Sequence, residues 1–227
     1  MTSRLALIIG GGGVLGQALC DEFVGAGFDV ACLRRNPTPD ARSSVSSMAC
    51  DLADAAAVHD AVAQVIRERG PVNTLIHNAA HFRAAPFLEL SAADLEESWR
   101  VGVAGAAAAA RATLPSMLQH RRGTIVFSGA TGSLRGSANF AALASAKFAL
   151  RGLAQALARE YQAAGIHVAH MVIDGLLSGS PSLQRFARPD ARTLDPADVA
   201  RTFRWIAEQP VSAWTHELDL RPVGERF

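Results

Sequence analysis

A run of four glycines near the start of the chain separates a short apolar stretch from a helical pattern. The stretch Leu5–Ile9 is apolar throughout, as expected for a strand that is buried on both faces of a parallel sheet. The segment Gly10-Gly-Gly-Gly-Val-Leu-Gly16 follows it, and the helical pattern after that segment ends at Gly25 and Gly27. A strand, a glycine turn and a helix in this order predict a domain in which parallel strands alternate with helices.

The same alternation continues along the rest of the chain. Further strands are predicted at Phe28–Leu33, Ser46–Cys50, Val72–His77, Thr124–Ser128, Ile166–Ile173 and Glu217–Leu220. Helices are predicted over Asp54–Arg69, from Ser91 to about His120 with a bend at Pro115, over Asn139–Ala163, and from Asp195 to about Glu208. We therefore predict one α/β domain over residues 1–227, with a Rossmann-like, doubly wound parallel sheet of about seven strands and helices on both faces.

Composition and charge argue against several classes of protein. A chain of 227 residues with 49% apolar and 19% charged residues is typical of a soluble, globular domain. The 22 basic and 21 acidic residues nearly balance, which argues against a nucleic-acid partner. The apolar run at the N-terminus is too short to span a membrane and lacks a signal-peptide cleavage pattern. We therefore expect no membrane partner. Cys20, Cys32 and Cys50 have no metal-ligand spacing, so we expect no metal and reduced thiols in a cytoplasmic protein.

The glycine turn fits the dinucleotide-binding fingerprint when it is read as Gly11-x-Gly13-x-x-Gly16. Backbone amides at the start of the following helix would then face the pyrophosphate of a cofactor. On this interpretation the cofactor-binding residues of the turn are Gly10, Gly11, Gly13, Val14, Leu15 and Gly16. Four consecutive glycines satisfy many templates, so a flexible turn without a function is the alternative.

The second predicted strand is followed by Arg34 and Arg35. An acidic residue at this point would accept hydrogen bonds from the adenosine ribose of NAD, whereas two guanidinium groups suit a 2′-phosphate. The pattern therefore predicts NADP as the cofactor. The alternative is a solvated pair of surface arginines.

Lys147 is the only lysine in the chain, and all the other residues counted as basic are arginines. It lies on a predicted helix among small and apolar residues, which is an unfavourable place for a solvated charge. The residue therefore calls for a specific role.

Several segments, taken in order, resemble the short-chain dehydrogenase/reductase family. They are the glycine turn, Cys50-Asp51-Leu52, His77-Asn78-Ala79-Ala80 and the helix that carries Lys147. The resemblance runs from about Leu5 to Leu220.

The resemblance implies a role for each of these residues. Asp51 would bind the adenine amino group with Leu52 packed beside it, and Asn78, Ala79 and Ala80 would support the sheet and flank the cofactor. Lys147 would hold the nicotinamide ribose hydroxyls, and Gly175 would lie in the loop that contacts the nicotinamide.

The chain also departs from the family pattern. Val14 stands where the family usually has its middle glycine. Leu143 stands at the position of the catalytic tyrosine, Ala130 at that of the serine and Gly102 at that of the asparagine. Of the four catalytic groups only Lys147 is retained.

A relocated proton donor is then needed for carbonyl reduction. The candidates are polar residues that follow the predicted strands: Ser128, Thr131, His81 and Asp174. A histidine is the natural acid near neutral pH, whereas Asp174 is expected to stay ionised and could pair with Lys147. The alternative is that these are loop residues without a catalytic role. Tyr161 lies about four helical turns beyond Lys147, too far away to replace the missing acid.

Two histidines receive other interpretations. His170 alternates with apolar residues in a predicted strand, so we expect a hydrogen-bonded core histidine. The segment around His216 is expected to form an interface or a lid, and the loop Gly175–Thr193 is expected to cover the site.

Small-residue helical surfaces occur at Ala104–Ala110 and Ala138–Ala149. By the resemblance these surfaces imply a homodimer or a homotetramer, and an alanine content set by base composition is the alternative. Two function classes stay open. One is an NADP-dependent oxidoreductase that acts on an unknown carbonyl or alcohol substrate. The other is a scaffold that binds NADP for a structural, sensing or partner-binding role.

Overall fold

The strands form one sheet in the order β3-β2-β1-β4-β5-β6-β7. They are β1 (Arg4–Ile9), β2 (Phe28–Arg34), β3 (Val45–Ala49), β4 (Val72–His77), β5 (Gly123–Ser128), β6 (Ile166–Ile173) and β7 (Glu217–Leu220). Each pairing between neighbouring strands is parallel. These features come from a computed structural model that describes residues 4–37, 42–186 and 192–225.

Helices cover both faces of this sheet. The helices in chain order are α1 (Gly13–Gly25), α2 (Ala55–Arg69), α3 (Ala92–Trp99), α4 (Gly105–Gln119), α5 (Ala141–Tyr161), α6 (Pro181–Phe186) and α7 (Pro196–Ala207). Helices α1 and α7 pack together on one face, while α2, α4 and α5 cover the other. The predicted Rossmann-like, doubly wound fold is therefore confirmed.

The apolar strands reflect burial on both faces. In β1, Leu7 packs in the core beneath α2 and α4, and the next residue, Ile8, packs in the core beneath α1 and α7. All eight residues of β6 are buried. Because successive side chains point to opposite faces, a strand between two helical layers has to be apolar at nearly every position.

The chain changes direction across the sheet at β1. This strand pairs with β2 on one side and with β4 on the other, so the chain reverses its direction of travel across the sheet at this point. In open α/β sheets a crevice forms there, outside the carboxyl ends of the strands.

The bounds of two predicted elements differ in the structure. β3 ends at Ala49, so Cys50 lies outside the strand. The helix that carries Lys147 begins two residues later than predicted, at Ala141. The reason is that Asn139 adopts a left-handed φ of 70° and Phe140 has non-helical dihedral angles.

The helix predicted from Ser91 to His120 is not uniform. Ser91 caps α3 in a capping box with Asp94, as the sequence indicates. Residues Arg100–Ala104 then form a π-helix, and α4 continues as an α-helix through Pro115. The departure from α geometry therefore lies about three helical turns before the proline.

By length and composition alone, the helical run Ala92–Gln119 could cross a membrane. However, 56% of its most apolar 18-residue stretch is buried inside the fold, and the core helix of a soluble protein can have the same length and composition.

Helix α7 offers a test of the packing. Phe203 is fully buried between α7 and the sheet, whereas Trp205, two residues later, is 53% exposed. We expect Phe203→Ala to lower the free energy of unfolding by about 3–5 kcal/mol, because it removes a ring and leaves a cavity. The matched change Trp205→Ala should cost less than about 1 kcal/mol. Urea denaturation followed by circular dichroism measures both, and equal losses would contradict the assigned packing.

Candidate functional site

The glycine turn lies against the end of β4 and the first turn of α1. Gly10 has a φ of 85°, and a Cβ atom at this position would lie 2.7 Å from the backbone nitrogen of Ala79. A Cβ atom at Gly16 would lie 2.7 Å from the carbonyl oxygen of Gly10. Glycine at both positions therefore allows the close approach of turn, strand and helix.

Helix α1 begins without a side-chain cap, since its N-cap residue is Gly12. The first-turn amides, which belong to Gly13, Val14 and Leu15, have no partner within the helix and lie at the positive end of its dipole. A Cβ atom at Gly12 or Gly13 would meet no atom of the described residues within 4 Å, so these two positions border open space. This end of α1 fits the pyrophosphate of a dinucleotide.

The end of β2 lies beside the glycine turn, because the Gly10 amide donates to the Leu33 carbonyl oxygen at 2.8 Å. The next residue, Arg34, donates from Nη2 to Ser47 Oγ at 2.9 Å, and Arg35 is exposed. Positions 34 to 36 hold two arginines and an asparagine and no carboxylate. The charge at this strand end suits an anionic group on the adenosine ribose.

Four residues form a hydrogen-bonded series across the carboxyl ends of β1, β4 and β5, which we call the strand-end chain. Asn78 Nδ2 donates to the Gly10 carbonyl oxygen at 3.1 Å. Ser128 Oγ donates to Asn78 Oδ1 at 3.0 Å, and Lys147 Nζ donates to the Ser128 carbonyl oxygen at 2.6 Å. The strand-end chain thus joins the glycine turn to α5, the helix that carries the lysine.

Lys147 is almost completely buried, with 5% of its surface exposed. Burial lowers the pKa of its ammonium group from 10.5 to about 8. The fully buried His77, at the end of β4, has a pKa lowered to about 3 by burial first and by Lys147 second. Lys147 is therefore mostly charged at neutral pH, and His77 is neutral.

Leu143 lies one helical turn before Lys147 on α5 and is half-buried. Ala130 follows β5, and its amide donates to Ser133 Oγ at 3.1 Å. Gly102 is buried in the π-helix, where a Cβ atom would make an ordinary contact of 3.6 Å with Ala146.

Asp174 is held by arginines and by a threonine. Its carboxylate accepts two hydrogen bonds from Arg135, at 3.0 and 3.2 Å, and one from Thr131 Oγ1 at 2.5 Å. Arg221 Nη1 lies 3.2 Å from Asp174 Oδ2. The expected pairing of Asp174 with Lys147 is therefore wrong, because two guanidinium groups surround the carboxylate while the lysine bonds to Ser128.

The residues after β3 and β6 are packed closely. Asp51 is exposed and accepts from the Ala53 amide at 3.0 Å, whereas Leu52 is buried. A Cβ atom at Gly105 would lie 2.7 Å from the Leu52 carbonyl oxygen, so this turn lies on the start of α4. A Cβ atom at Gly175 would lie 2.8 Å from Pro222 Cδ.

The loop after β4 carries the remaining predicted residues. Ala79 is buried under the glycine turn, Ala80 is exposed, and His81 is half-buried. The next residue, Phe82, packs edge-on against Phe140 and Phe186 with ring centroids 5.9 Å apart in each case. The described part of the loop that begins at Gly175, which contains α6, thereby contacts the loop after β4. Residues 187–191 of that loop lie outside the described residues.

Sequence reasoning missed a partly buried polar series around His170 on β6. Ser133 Oγ lies 3.3 Å from His170 Nε2, and His170 Nδ1 lies 4.0 Å from Glu217 Oε1. Arg151 donates to Glu217 at 2.7 and 2.8 Å. The expected hydrogen-bonded core histidine at position 170 is confirmed, and no sequence pattern indicated its partners. His216 contacts the Val168 carbonyl oxygen through Nδ1 at 3.0 Å, next to the edge strand β7 and not over the site.

Residues 4–180 of the chain match the short chain dehydrogenase family. The chain is 30% identical over 176 residues to the 3-oxoacyl-acyl-carrier-protein reductase MabA of Mycobacterium avium, an alignment that covers 77% of this chain and 68% of the relative. Curated relatives vary in size, and the chain spans 57% of the length of one and 92% of the length of another.

Solved structures share the fold over nearly the whole chain. A short-chain dehydrogenase from Rhodopseudomonas palustris superimposes with a TM-score of 0.82 at 31% identity, covering 96% of this chain and 98% of that one. A metagenomic short-chain oxidoreductase in complex with NADP gives a TM-score of 0.83 at 21% identity, covering 98% and 99%.

The buried lysine predicts a pH dependence of stability. Below pH 8 the ammonium is charged in both states, so the folded protein bears the full cost of burying it. Between pH 8 and 10.5 the unfolded chain keeps a proton that the folded protein has lost, so this group makes the free energy of unfolding rise with pH.

We therefore compare the free energy of unfolding of the wild type with that of Lys147→Met, by urea denaturation without cofactor. Between pH 8 and 10.5 the wild-type value should increase by roughly 1–3 kcal/mol relative to the value of the variant. The variant removes the charge and keeps the apolar bulk. A difference between the two proteins that does not change with pH would contradict the assigned burial of the ammonium.

Proposed function

The chain belongs to the short-chain dehydrogenase family, and from this premise we propose that it is an oxidoreductase that binds NADP(H) and acts on a carbonyl or alcohol substrate. The observation that carries the proposal is the buried Lys147 ammonium, fixed 2.6 Å from the Ser128 carbonyl oxygen at the carboxyl ends of the strands. A buried charge costs free energy, and ligands of open α/β sheets bind at this edge. The bound cofactor would supply the hydride.

Residues of the chain account for each part of the cofactor. The amides at the start of α1 would bind the pyrophosphate, and Arg34 and Arg35 would bind the 2′-phosphate. Asp51 would accept from the adenine amino group, with Leu52 beside it. Lys147, which donates to the Ser128 carbonyl oxygen in the structure, would also donate to the hydroxyls of the nicotinamide ribose. The NADP bound in the metagenomic oxidoreductase of the same fold supports this choice of cofactor.

The other predicted contacts would lie on the nicotinamide side. Asn78, Ala79 and Ala80 follow β4 and Gly175 follows β6, and these two strands flank β5 at the carboxyl edge of the sheet. We propose that these four residues line the pocket for the nicotinamide and the substrate.

We propose His81 as the proton donor. The Thr131 hydroxyl proton is directed at Asp174, and the Ser128 hydroxyl proton at Asn78. Asp174 is surrounded by positive charge and therefore acts as an acceptor. His81 is half-buried in the loop after β4, and an imidazole can donate a proton near neutral pH.

A cofactor-binding scaffold without turnover is the second candidate. Leu143, Ala130 and Gly102 stand where the family carries its tyrosine, serine and asparagine, and none of these three side chains can donate a proton. The scaffold would hold NADP(H) for a structural, sensing or partner-binding role.

We also propose that the protein forms a homodimer or a homotetramer through α4 and α5, as the family resemblance implies. Two exposed aromatic residues support this proposal. Trp99 on α3 is 51% exposed, and Phe148 on the neighbouring helix α5 is 45% exposed.

The 2′-phosphate assignment predicts cofactor selectivity. Arg34→Ala combined with Arg35→Ala should weaken NADPH binding by about tenfold or more and NADH binding by less than about threefold, because only NADPH carries the extra phosphate. Arg67→Ala combined with Arg122→Ala, at two exposed positions away from the glycine turn, is the matched control for the loss of two positive charges. Isothermal titration with both nucleotides measures the affinities, and equal losses for NADPH and NADH would reject the assignment.

The proton-donor assignment predicts a loss of turnover. With a panel of aldehydes and ketones, His81→Gln should lower kcat for NADPH oxidation by about 10²-fold while NADPH affinity stays unchanged. His59→Gln on α2 is the control. Full activity of the His81→Gln variant would remove this residue from the mechanism.

Restoring the family residues separates the two candidate functions. The double variant Leu143→Tyr with Ala130→Ser places a phenol one helical turn from Lys147. The positive charge of the lysine favours the ionised form of the phenol. If the wild type binds NADPH but reduces no carbonyl, and this double variant gains turnover, the scaffold role is supported and the enzyme role is contradicted. Turnover by the wild type would contradict the scaffold role.

A further inference from the structure

Two reduced cysteines face each other between α1 and β2, beneath the glycine turn. Cys20 Sγ lies 2.9 Å from Cys32 Sγ, and both residues are buried, with 3% and 2% of their surface exposed. A disulfide bond is about 2.05 Å long, so the sulfur atoms need to approach by only about 0.9 Å to become bonded.

The sulfur atoms lie next to the turn that would hold the pyrophosphate. A Cβ atom at Gly11 would lie 2.9 Å from Cys32 Sγ and 3.8 Å from Cys20 Sγ, so the backbone of Gly11 packs on the thiol pair. The neighbouring Gly12 and Gly13 are exposed. The backbone of Gly11 therefore lies between the thiols and a stretch of turn that faces solvent.

The surroundings favour a reactive thiol at one of the two positions. The hydrogen bond with Cys32 lowers the pKa of the Cys20 thiol, Arg34 lowers it further, and burial opposes both effects. Cys50 is different, because burial first and Asp51 second raise the pKa of its thiol. The chain thus offers a matched control for the pair.

We propose that Cys20 and Cys32 are an oxidative modification site that forms a reversible disulfide and thereby weakens dinucleotide binding at the turn above them. Hydrogen peroxide is the oxidant. The Cys20 thiolate attacks one peroxide oxygen and breaks the O–O bond, which gives a sulfenic acid and releases hydroxide. The hydroxide combines with the proton that Cys20 gives up on forming its thiolate. The Cys32 sulfur then displaces the sulfenic oxygen as water and forms the S–S bond. In total, two thiols and one hydrogen peroxide give one disulfide and two waters.

The effect on the cofactor follows from the packing and rests on the proposed function. Closing the sulfur pair draws α1 and β2 together beneath Gly11, which has no space to absorb the movement. The first-turn amides of α1 must then shift relative to the pyrophosphate. Because bonds from backbone amides to a charged phosphate depend on distance and angle, the loss of one of them weakens binding about tenfold.

The experiment maps the disulfide and measures the affinity separately. Cys20 and Cys32 fall within one tryptic peptide, Leu5–Arg34, and Cys50 falls in another. The folded protein is treated with hydrogen peroxide, denatured and labelled with N-ethylmaleimide. We expect the Leu5–Arg34 peptide to be lighter by two hydrogens and unlabelled, and the Cys50 peptide to be labelled. Dithiothreitol should reverse the change.

In parallel, the dissociation constant for NADPH should rise about tenfold in the oxidised protein and recover on reduction. Cys20→Ser and Cys20→Ala should bind NADPH like the reduced wild type and should not respond to peroxide, whereas Cys50→Ser should respond fully. Two Cys20 variants keep the test valid if one of them fails to fold.

The proposal is overturned if both cysteines of the Leu5–Arg34 peptide remain labelled, or if the disulfide forms only in urea. A disulfide that leaves the NADPH affinity unchanged overturns the link to the cofactor. If the reduced wild type does not bind NADPH, the proposed function fails, while the peptide masses still decide whether the pair is oxidised.

Discussion

The hydrogen bond from Lys147 to the Ser128 carbonyl oxygen holds a buried charge at the carboxyl edge of the sheet, where ligands of open α/β sheets bind. Through Ser128 and Asn78 the same series of bonds reaches Gly10, so the lysine, β5, β4 and the glycine turn are held in one arrangement. Among the described residues, the Ser128 carbonyl oxygen is the hydrogen-bond partner of this ammonium group. Burying the charge with one neutral partner is unfavourable for folding alone. This cost is the basis of our proposal that Lys147 belongs to a ligand-binding site.

Much of the fold could be predicted from the sequence, because burial on both faces leaves a clear pattern in the strands. β6, for example, was predicted with its observed bounds, Ile166–Ile173, and the cap of α7 at Asp195 was visible as Asp-Pro. The glycine turn was also readable, since only glycine permits the contact of Gly10 with Ala79. These features depend on local chemistry, which a single sequence records.

Features that depend on distant segments could not be read in the same way. The sequence allows Asp174 to pair with Lys147, but in the structure Arg135, from the loop after β5, and Arg221, from the end of β7, hold the carboxylate. The contact between Cys20 and Cys32 likewise appears only when α1 packs on β2. The start of α5 was misjudged because a left-handed φ at Asn139 leaves no clear sequence signal.

The most direct test of the account is a crystal structure of the protein with NADP bound. We predict that the pyrophosphate lies at the first turn of α1, that the 2′-phosphate lies beside Arg34, and that Lys147 Nζ contacts the hydroxyls of the nicotinamide ribose. Nucleotide bound away from the carboxyl ends of β1 and β4, or a Lys147 that makes no contact with it, would contradict the account.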